Sequence, residues 1–101
     1  MGHTIRNRES EIAAAVSNYL YDAGGSATIA QIRRALPFYI ELTDVDRQPS
    51  LSRPGEEIWE QLVRNIVCHR FSEGNAIQAG ALAYQPRRLV LPNGPQGEMF
   101  C

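Results

Sequence analysis

The chain has 101 residues, of which 44% are hydrophobic and 21% are charged, and its formal net charge is −1. This length allows one domain with a modest core, and the composition excludes wholesale disorder and a fibrous repeat. Its apolar runs are shorter than the roughly 20 residues that cross a bilayer, and its start lacks the apolar stretch of a secretory signal. We therefore expect a cytoplasmic protein with no membrane partner.

All ten basic residues are arginine, and lysine is absent. A P-loop, a Schiff-base site and a lysine-dependent nuclease centre are therefore excluded. Arginine suits phosphates and guanine edges, although a compositional habit of the source genome explains the same bias. Two cysteines, Cys68 and Cys101, are too few for a disulfide framework, and we expect reduced thiols.

Charge is distributed unevenly along the chain. Residues 41–60 contain two arginines and six acids, namely Glu41, Asp44, Asp46, Glu56, Glu57 and Glu60. Residues 61–92 contain one acid, Glu73, and four arginines, namely Arg64, Arg70, Arg87 and Arg88. Positive potential should therefore concentrate on the last third of the chain, while the overall acidity counts against tight binding to a polyanion.

Apolar residues recur at helical spacing between Arg8 and Ala23, which predicts an amphipathic helix that ends at the glycine pair 24–25. A short second helix is predicted after Ser26-Ala27-Thr28, and Pro37 stops it. Residues 38–55 are predicted to be a connector with one brief turn, which Thr43 caps and which runs through Asp46.

The third helix is predicted from Ser52 as its cap and Pro54 in its first turn to about Arg70. Its apolar side consists of Ile58, Trp59, Leu62, Val63, Ile66 and Val67. We interpret Trp59 as a core residue and not as a platform for stacked bases, because it shares this side with aliphatic residues.

Alternating apolar residues at 82–91, interrupted at 85–88, predict a β-hairpin with Arg87 and Arg88 at or just past its tip. Residues 93–101 are predicted to be a flexible tail. Three helices followed by a β-hairpin wing predict an α+β, winged helix-turn-helix domain over residues 1–92. The connector before the third helix is longer than the tight turn that is usual in this fold.

A polar face on the third helix is the main candidate for recognition. Gln61, Arg64, Asn65 and Cys68 lie at positions i, i+3, i+4 and i+7, and three of them are residue types that bind base edges well. The alternative is an ordinary solvated face, because Glu57 and Glu60 flank it with charges that repel phosphate.

Other candidates lie outside this face. Arg87 and Arg88 would meet phosphate or a narrow minor groove, or would only protect an exposed edge from aggregation. On the second helix, Gln31, Arg33 and Arg34 would touch phosphate or face solvent. His69 is interpreted as a structural histidine bonded to a carbonyl or carboxylate, with phosphate contact as the second choice. The predicted DNA-binding set is thus Gln61, Arg64, Asn65, Cys68, His69, Arg87, Arg88, Arg34 and Gln31.

Neither a metal nor catalytic residues are predicted. Cys68 and His69 are adjacent and point about 100° apart on a helix, which disfavours a nucleophile–base pair. Glu41, Asp44 and Asp46 lack the glycine-centred loop of a calcium site. We expect no cofactor and no enzymatic activity.

Several segments resemble a known family: Leu42 to Asp46, the Ser-Arg-Pro-Gly-Glu stretch at 52–56, Trp59, and residues 63–70. Over residues 10–92 the chain is similar to a winged-helix module of bacterial restriction-type endonucleases, related to the amino-terminal domain of Mrr-type enzymes. The resemblance implies a module that binds DNA or senses substrate and works beside a nuclease domain or subunit, but it does not carry over cutting. We expect double-stranded DNA as the partner; the alternative is a protein-interaction or dimerisation module that uses the acidic 41–60 region.

Overall fold

The structure, a computed structural model, describes residues 6–92. Its helices are α1 (Glu9–Asp22), α2 (Ile29–Ala35) and α3 (Ile58–Cys68), and its strands are β1 (Ser26–Thr28), β2 (Ala83–Gln85) and β3 (Arg88–Val90). This is a small α+β fold with a three-stranded antiparallel sheet. None of the helices within residues 6–92 combines the length and the apolar character needed to cross a membrane. The predicted tail at 93–101 lies outside the described residues.

Helix α1 confirms the first predicted helix. Ile12, Val16 and Leu20 are fully buried, as their spacing requires for one face of a helix. After the helix, Gly24 and Gly25 have φ angles of 89° and 105°, a conformation that costs glycine little, and the Gly25 amide donates to the Leu20 carbonyl.

Residues 26–28, to which the sequence analysis assigns no element, form strand β1. Three residues are too few to show an alternating pattern, and the strand exists because it pairs with β3. The register places Ala27 opposite Leu89, and both side chains are buried. Strand β3 also pairs with β2, so the sheet order is β1-β3-β2. The predicted hairpin is confirmed.

Helix α2 begins at a side-chain cap. The Thr28 hydroxyl accepts from the Gln31 amide, and the Gln31 side chain accepts in return from the Thr28 amide. The helix continues into a short 3-10 turn, Leu36–Phe38, that contains Pro37. The predicted stop at this proline is therefore confirmed to within one turn.

The predicted start of the third helix was wrong. Helix α3 begins at Ile58 with Glu57 as its N-cap, whereas Pro54 lies in a turn that Gly55 completes with a φ of 86°. A β-bridge between Pro49 and Glu57 and a bond from the Ser50 amide to the Glu56 carbonyl hold this turn outside the helix. The predicted turn over 43–46 is confirmed, with the Asp46 amide donating to the Thr43 hydroxyl.

The core lies between the three helices and the inner side of the sheet. Trp59, Leu62, Val63 and Ile66 of α3 are buried against α1, which confirms the predicted apolar side of this helix. Burial of such side chains supplies most of the stability of a domain of this size. The opposite side of α3 therefore faces outward.

Asn75 fixes the loop that leads from α3 to the hairpin. It is 5% exposed, and its Nδ2 donates to the Ile66 carbonyl at 3.0 Å. Its Oδ1 accepts from the amides of Ile77 and Gln78. A buried amide with these partners holds the 69–82 loop against α3, and the hairpin starts from a defined position.

Candidate functional site

Two grooves flank the outer side of α3. The first, which we name the arginine groove, encloses about 550 Å³ between α2, α3 and the hairpin. Four arginines line it, namely Arg33, Arg53, Arg64 and Arg87. They come from four segments of the chain: α2, the 51–55 turn, α3 and the hairpin tip. The fold thus gathers cationic side chains that are far apart in the sequence.

Two carboxylates hold the inner arginines in place. Glu60 Oε2 accepts from Arg33 Nη2 at 2.9 Å, and Glu56 Oε2 accepts from Arg64 Nε at 2.6 Å. Glu56 Oε2 also lies 3.7 Å from Arg33 Nη1, which links both arginines. These two guanidinium groups and two carboxylates therefore form one connected set with fixed orientations.

The ionisation of Glu60 is coupled to this set. Partial burial acts to raise the pKa of Glu60, but the Glu57 amide and the Arg33 guanidinium outweigh it and hold the pKa below the ordinary value of 4.5. The carboxylate therefore stabilises the fold fully above pH 4.5, and this contribution is lost as the pH falls through the lower pKa of the folded state.

We expect Glu60→Gln to flatten the loss of stability on acidification, because the substituted side chain no longer binds a proton on unfolding. Urea denaturation at several pH values between about 3 and about 6 measures this. Glu73→Gln is the matched control, since Glu73 is exposed and has no ion pair within the described chain. An identical pH dependence in the wild type and Glu60→Gln would contradict the assignment.

The outer arginines, Arg53 and Arg87, form no ion pair with any residue of the 6–92 range. Both are exposed. Arg87 has a φ of 64°, a left-handed conformation that is uncommon for a residue with a side chain. Its carbonyl accepts from the Ile29 amide at 2.9 Å, which fastens the hairpin tip to the first turn of α2. The tip position therefore presents an unneutralised guanidinium at the groove edge.

Aromatic rings lie where the hairpin meets α3. The Arg70 guanidinium carbon lies 4.9 Å from the ring centroid of Tyr84, which lines the arginine groove, and 4.9 Å from that of Phe71. Arg70 also donates to the Val67 carbonyl at the end of α3. These contacts connect the hairpin to the helix end through a cation held against two rings.

The second groove, which we name the amide groove, encloses about 500 Å³ on the other side of α3. Gln61 and Asn65 line it from α3, and Arg6 and Arg8 line it from the segment before α1. The predicted recognition face is therefore divided: Arg64 and Cys68 belong to the arginine groove, and Gln61 and Asn65 to the amide groove. The two pairs remain adjacent on one helix.

The long connector reaches this face. Residues 51 and 52 line the amide groove and residue 53 lines the arginine groove, so the turn passes from one groove to the other. Gln61 Oε1 accepts from the Ser50 hydroxyl, which already occupies part of its hydrogen-bonding capacity. No described residue hydrogen-bonds to the Asn65 side chain, which is half-buried. Asn65 is thus better placed than Gln61 to bind a ligand.

The remaining predicted residues lie in different settings. His69 Nδ1 lies 3.2 Å from Glu9 Oε1, as expected for a structural histidine, although the side chain also lines the amide groove. Gln31 is occupied by the cap of α2. Arg88 donates to the Ser26 hydroxyl at 2.7 Å and lines neither groove, so it does not accompany Arg87. Arg34 is exposed and also lines neither groove.

Sequence reasoning missed Arg6, Arg8 and Arg53. Arg53 lies among acids in the sequence, and only the path of the connector brings it to the same groove as Arg64. Arg6 and Arg8 precede the first helix and show no periodicity. A count of arginines over the whole chain would have included them but could not have placed them.

Glu41 and Asp44 are exposed, whereas the third acid of that segment, Asp46, lies in a different setting. Asp46 is fully buried and accepts from Asn7 and from the Thr43 amide. Among residues 6–92, no three His, Cys, Asp or Glu side chains are grouped so that they could hold a metal ion.

Comparisons of the chain with protein-family models, with curated proteins and with solved structures give no match.

Proposed function

We propose that this chain is a non-enzymatic winged-helix module that binds double-stranded DNA, with α3 in the major groove and the arginine of the hairpin tip on the backbone. The order helix, strand, two helices and hairpin, with β1 paired to the second strand of the hairpin, supports a winged helix-turn-helix domain. In that arrangement the outer side of the third helix is the surface that meets the bases.

The arginine groove carries the proposal. Four guanidinium groups converge beside the exposed side of α3, and the two outer ones have no ionic partner in the described chain. Guanidinium groups bind phosphate oxygens through paired hydrogen bonds, and such contacts position a protein on DNA. A groove of this charge beside a polar helix face suits a duplex backbone.

The acids near α3 oppose DNA binding less than the sequence implies. Glu60 is paired with Arg33, and Glu57 lies 3.8 Å from Arg47 and accepts from the Trp59 indole. A carboxylate that is already paired with a guanidinium contributes little net repulsion toward an approaching phosphate.

The same pairing weakens the alternative of a protein-interaction module that uses the acidic 41–60 region. Four of the six acids there are engaged within the chain, namely Asp46, Glu56, Glu57 and Glu60. Glu41 and Asp44 are exposed and have no ion pair among the described residues. Two carboxylates are a small surface with which to attract a basic partner.

The resemblance to the Mrr-type module gives this proposal a biological setting. It favours a role in a bacterial restriction or DNA-processing system, in which the module positions a nuclease domain or subunit on DNA. This setting stays a prediction, and the DNA-binding proposal does not depend on it.

A titration of the isotope-labelled protein with a short duplex at low ionic strength tests the proposal. We expect amide shifts to cluster on residues 61–69 and 85–88, together with residue 53 and the start of α2. We also expect affinity to fall steeply with salt, because roughly five or six phosphate contacts give a slope near five in the logarithmic plot.

Sedimentation at several protein concentrations is the companion measurement. Shifts at residues 41–48 that depend on protein concentration, with self-association and no response to duplex, would favour the protein-interaction module and refute DNA binding. A single strand of the same sequence is the control ligand, since it carries phosphate without a major groove.

A further inference from the structure

Two of the three residues before α1 lie on the amide groove. Arg6 and Arg8 are exposed, and both line this groove opposite Gln61 and Asn65. Neither arginine forms an ion pair with a residue of the described chain. Two further unneutralised guanidinium groups therefore lie beside α3, on the side away from the arginine groove.

A buried anchor fixes this segment. The Asn7 amide donates to Asp46 Oδ1 at 2.8 Å, and Asn7 Nδ2 donates to Asp46 Oδ2 at 2.6 Å. Asn7 Nδ2 also donates to the Glu41 carbonyl at 3.0 Å. Because Asp46 is fully buried and the bonds span 39 residues, the start of the described chain is fastened to the connector. Arg6 and Arg8 lie on either side of the anchored residue.

The acid in the same groove is already engaged. Glu9 Oε1 lies 3.2 Å from His69 Nδ1, and Glu9 Oε2 accepts from Asn75 Nδ2 at 3.2 Å. Its carboxylate therefore links α1 to the end of α3 and is not paired with either arginine. Arg6 and Arg8 therefore give this groove a positive charge near the Asn65 side chain, to which no described residue hydrogen-bonds.

A helix in the major groove of B-DNA has phosphates on both sides, because the groove is about 12 Å wide and is bounded by two strands. We propose that Arg6 and Arg8 bind the DNA strand opposite the one that the arginine groove binds, so that the two grooves hold both backbones around α3. This inference rests on the proposed function and adds a second contact surface to it. Asn7 and Asp46 are the positioning residues of this surface.

Single substitutions test it. We expect Arg6→Gln and Arg8→Gln each to weaken duplex binding by roughly five- to tenfold at 0.1 M salt and to lower the salt slope by about one. Arg34→Gln is the matched control: it removes the same charge from an exposed arginine that has no ion pair among the described residues and lines neither groove, and it should leave the slope unchanged. Fluorescence anisotropy over a series of salt concentrations measures both quantities.

Asn7→Ala tests the positions of Arg6 and Arg8 without changing their charge. It keeps both arginines but removes the side-chain bonds to Asp46 and Glu41, and we expect it to weaken duplex binding several-fold. Thermal unfolding of each variant establishes that it is folded; should Asn7→Ala fail to fold, the two arginine variants decide. If the wild type binds duplex and the variants of Arg6 and Arg8 match Arg34→Gln, the second contact surface is refuted and DNA binding stands. If the wild type does not bind duplex, both proposals are refuted.

Discussion

Trp59→Ala is expected to lower the free energy of unfolding by about 3–5 kcal/mol, because it leaves a cavity in the core. Trp59 is 4% exposed and packs in the core cluster between the helices and the sheet. Its indole donates to Glu57 Oε1 at 2.9 Å, so the substitution also loosens the N-cap of α3. The total free energy of unfolding of a native domain is about 5–15 kcal/mol, so this loss is a large part of the stability.

Urea denaturation followed by circular dichroism measures the effect of Trp59→Ala. Tyr21→Ala is the control, since Tyr21 is an aromatic residue that is 65% exposed on α1 and should change stability little. Trp59→Phe, which keeps a ring but loses the indole donor, should fall between them. A loss below about 1 kcal/mol for Trp59→Ala would show that the residue is not a core anchor.

The double substitution Arg53→Gln with Arg87→Gln is expected to weaken duplex binding by roughly ten- to a hundredfold at 0.1 M salt and to lower the salt slope by about two. Both side chains line the arginine groove without an ionic partner in the described chain, so their loss removes phosphate contacts and leaves the core unchanged. Stability should stay within about 0.5 kcal/mol of the wild type, as for most surface substitutions.

Arg88→Gln tests whether Arg88 contacts DNA together with Arg87. The pattern groups Arg88 with Arg87, whereas the structure directs Arg88 to the Ser26 hydroxyl and away from both grooves. We therefore expect Arg88→Gln to leave the salt slope near the wild-type value. If Arg88→Gln lowers the salt slope as much as Arg87→Gln does, both arginines contact phosphate, and this assignment is contradicted.

The helices and the hairpin could be predicted because their signals are local. Ile12, Val16 and Leu20 show helical spacing within nine residues, and the proline before Arg87 interrupts an alternating segment. Strand β1 could not be predicted in this way, since its three residues are extended only through pairing with β3. A local pattern therefore predicts an element whose own buried face gives it a periodic sequence. It does not predict a short strand that forms only because another strand pairs with it.

The start of α3 and the division of its polar face depend on long-range contacts. Pro54 is favourable in the first turn of a helix, but the bridge between Pro49 and Glu57 draws that segment into a turn. The same segment places Arg53 on the same groove as Arg64, and its Ser50 hydroxyl donates to Gln61. Helical spacing could give the four polar residues of α3, but not which groove each would enter.

The sheet order constrains how the hairpin can move. Strand β3 is the middle strand, and bonds from the Ile29 amide to the Arg87 carbonyl and from the Leu91 amide to the Gly25 carbonyl continue its attachment to the α1–α2 junction. Swinging the hairpin outward would break the β1–β3 pairing together with both of these bonds. A ligand would therefore meet a surface that is already preorganised, and little conformational entropy would be lost when it is bound.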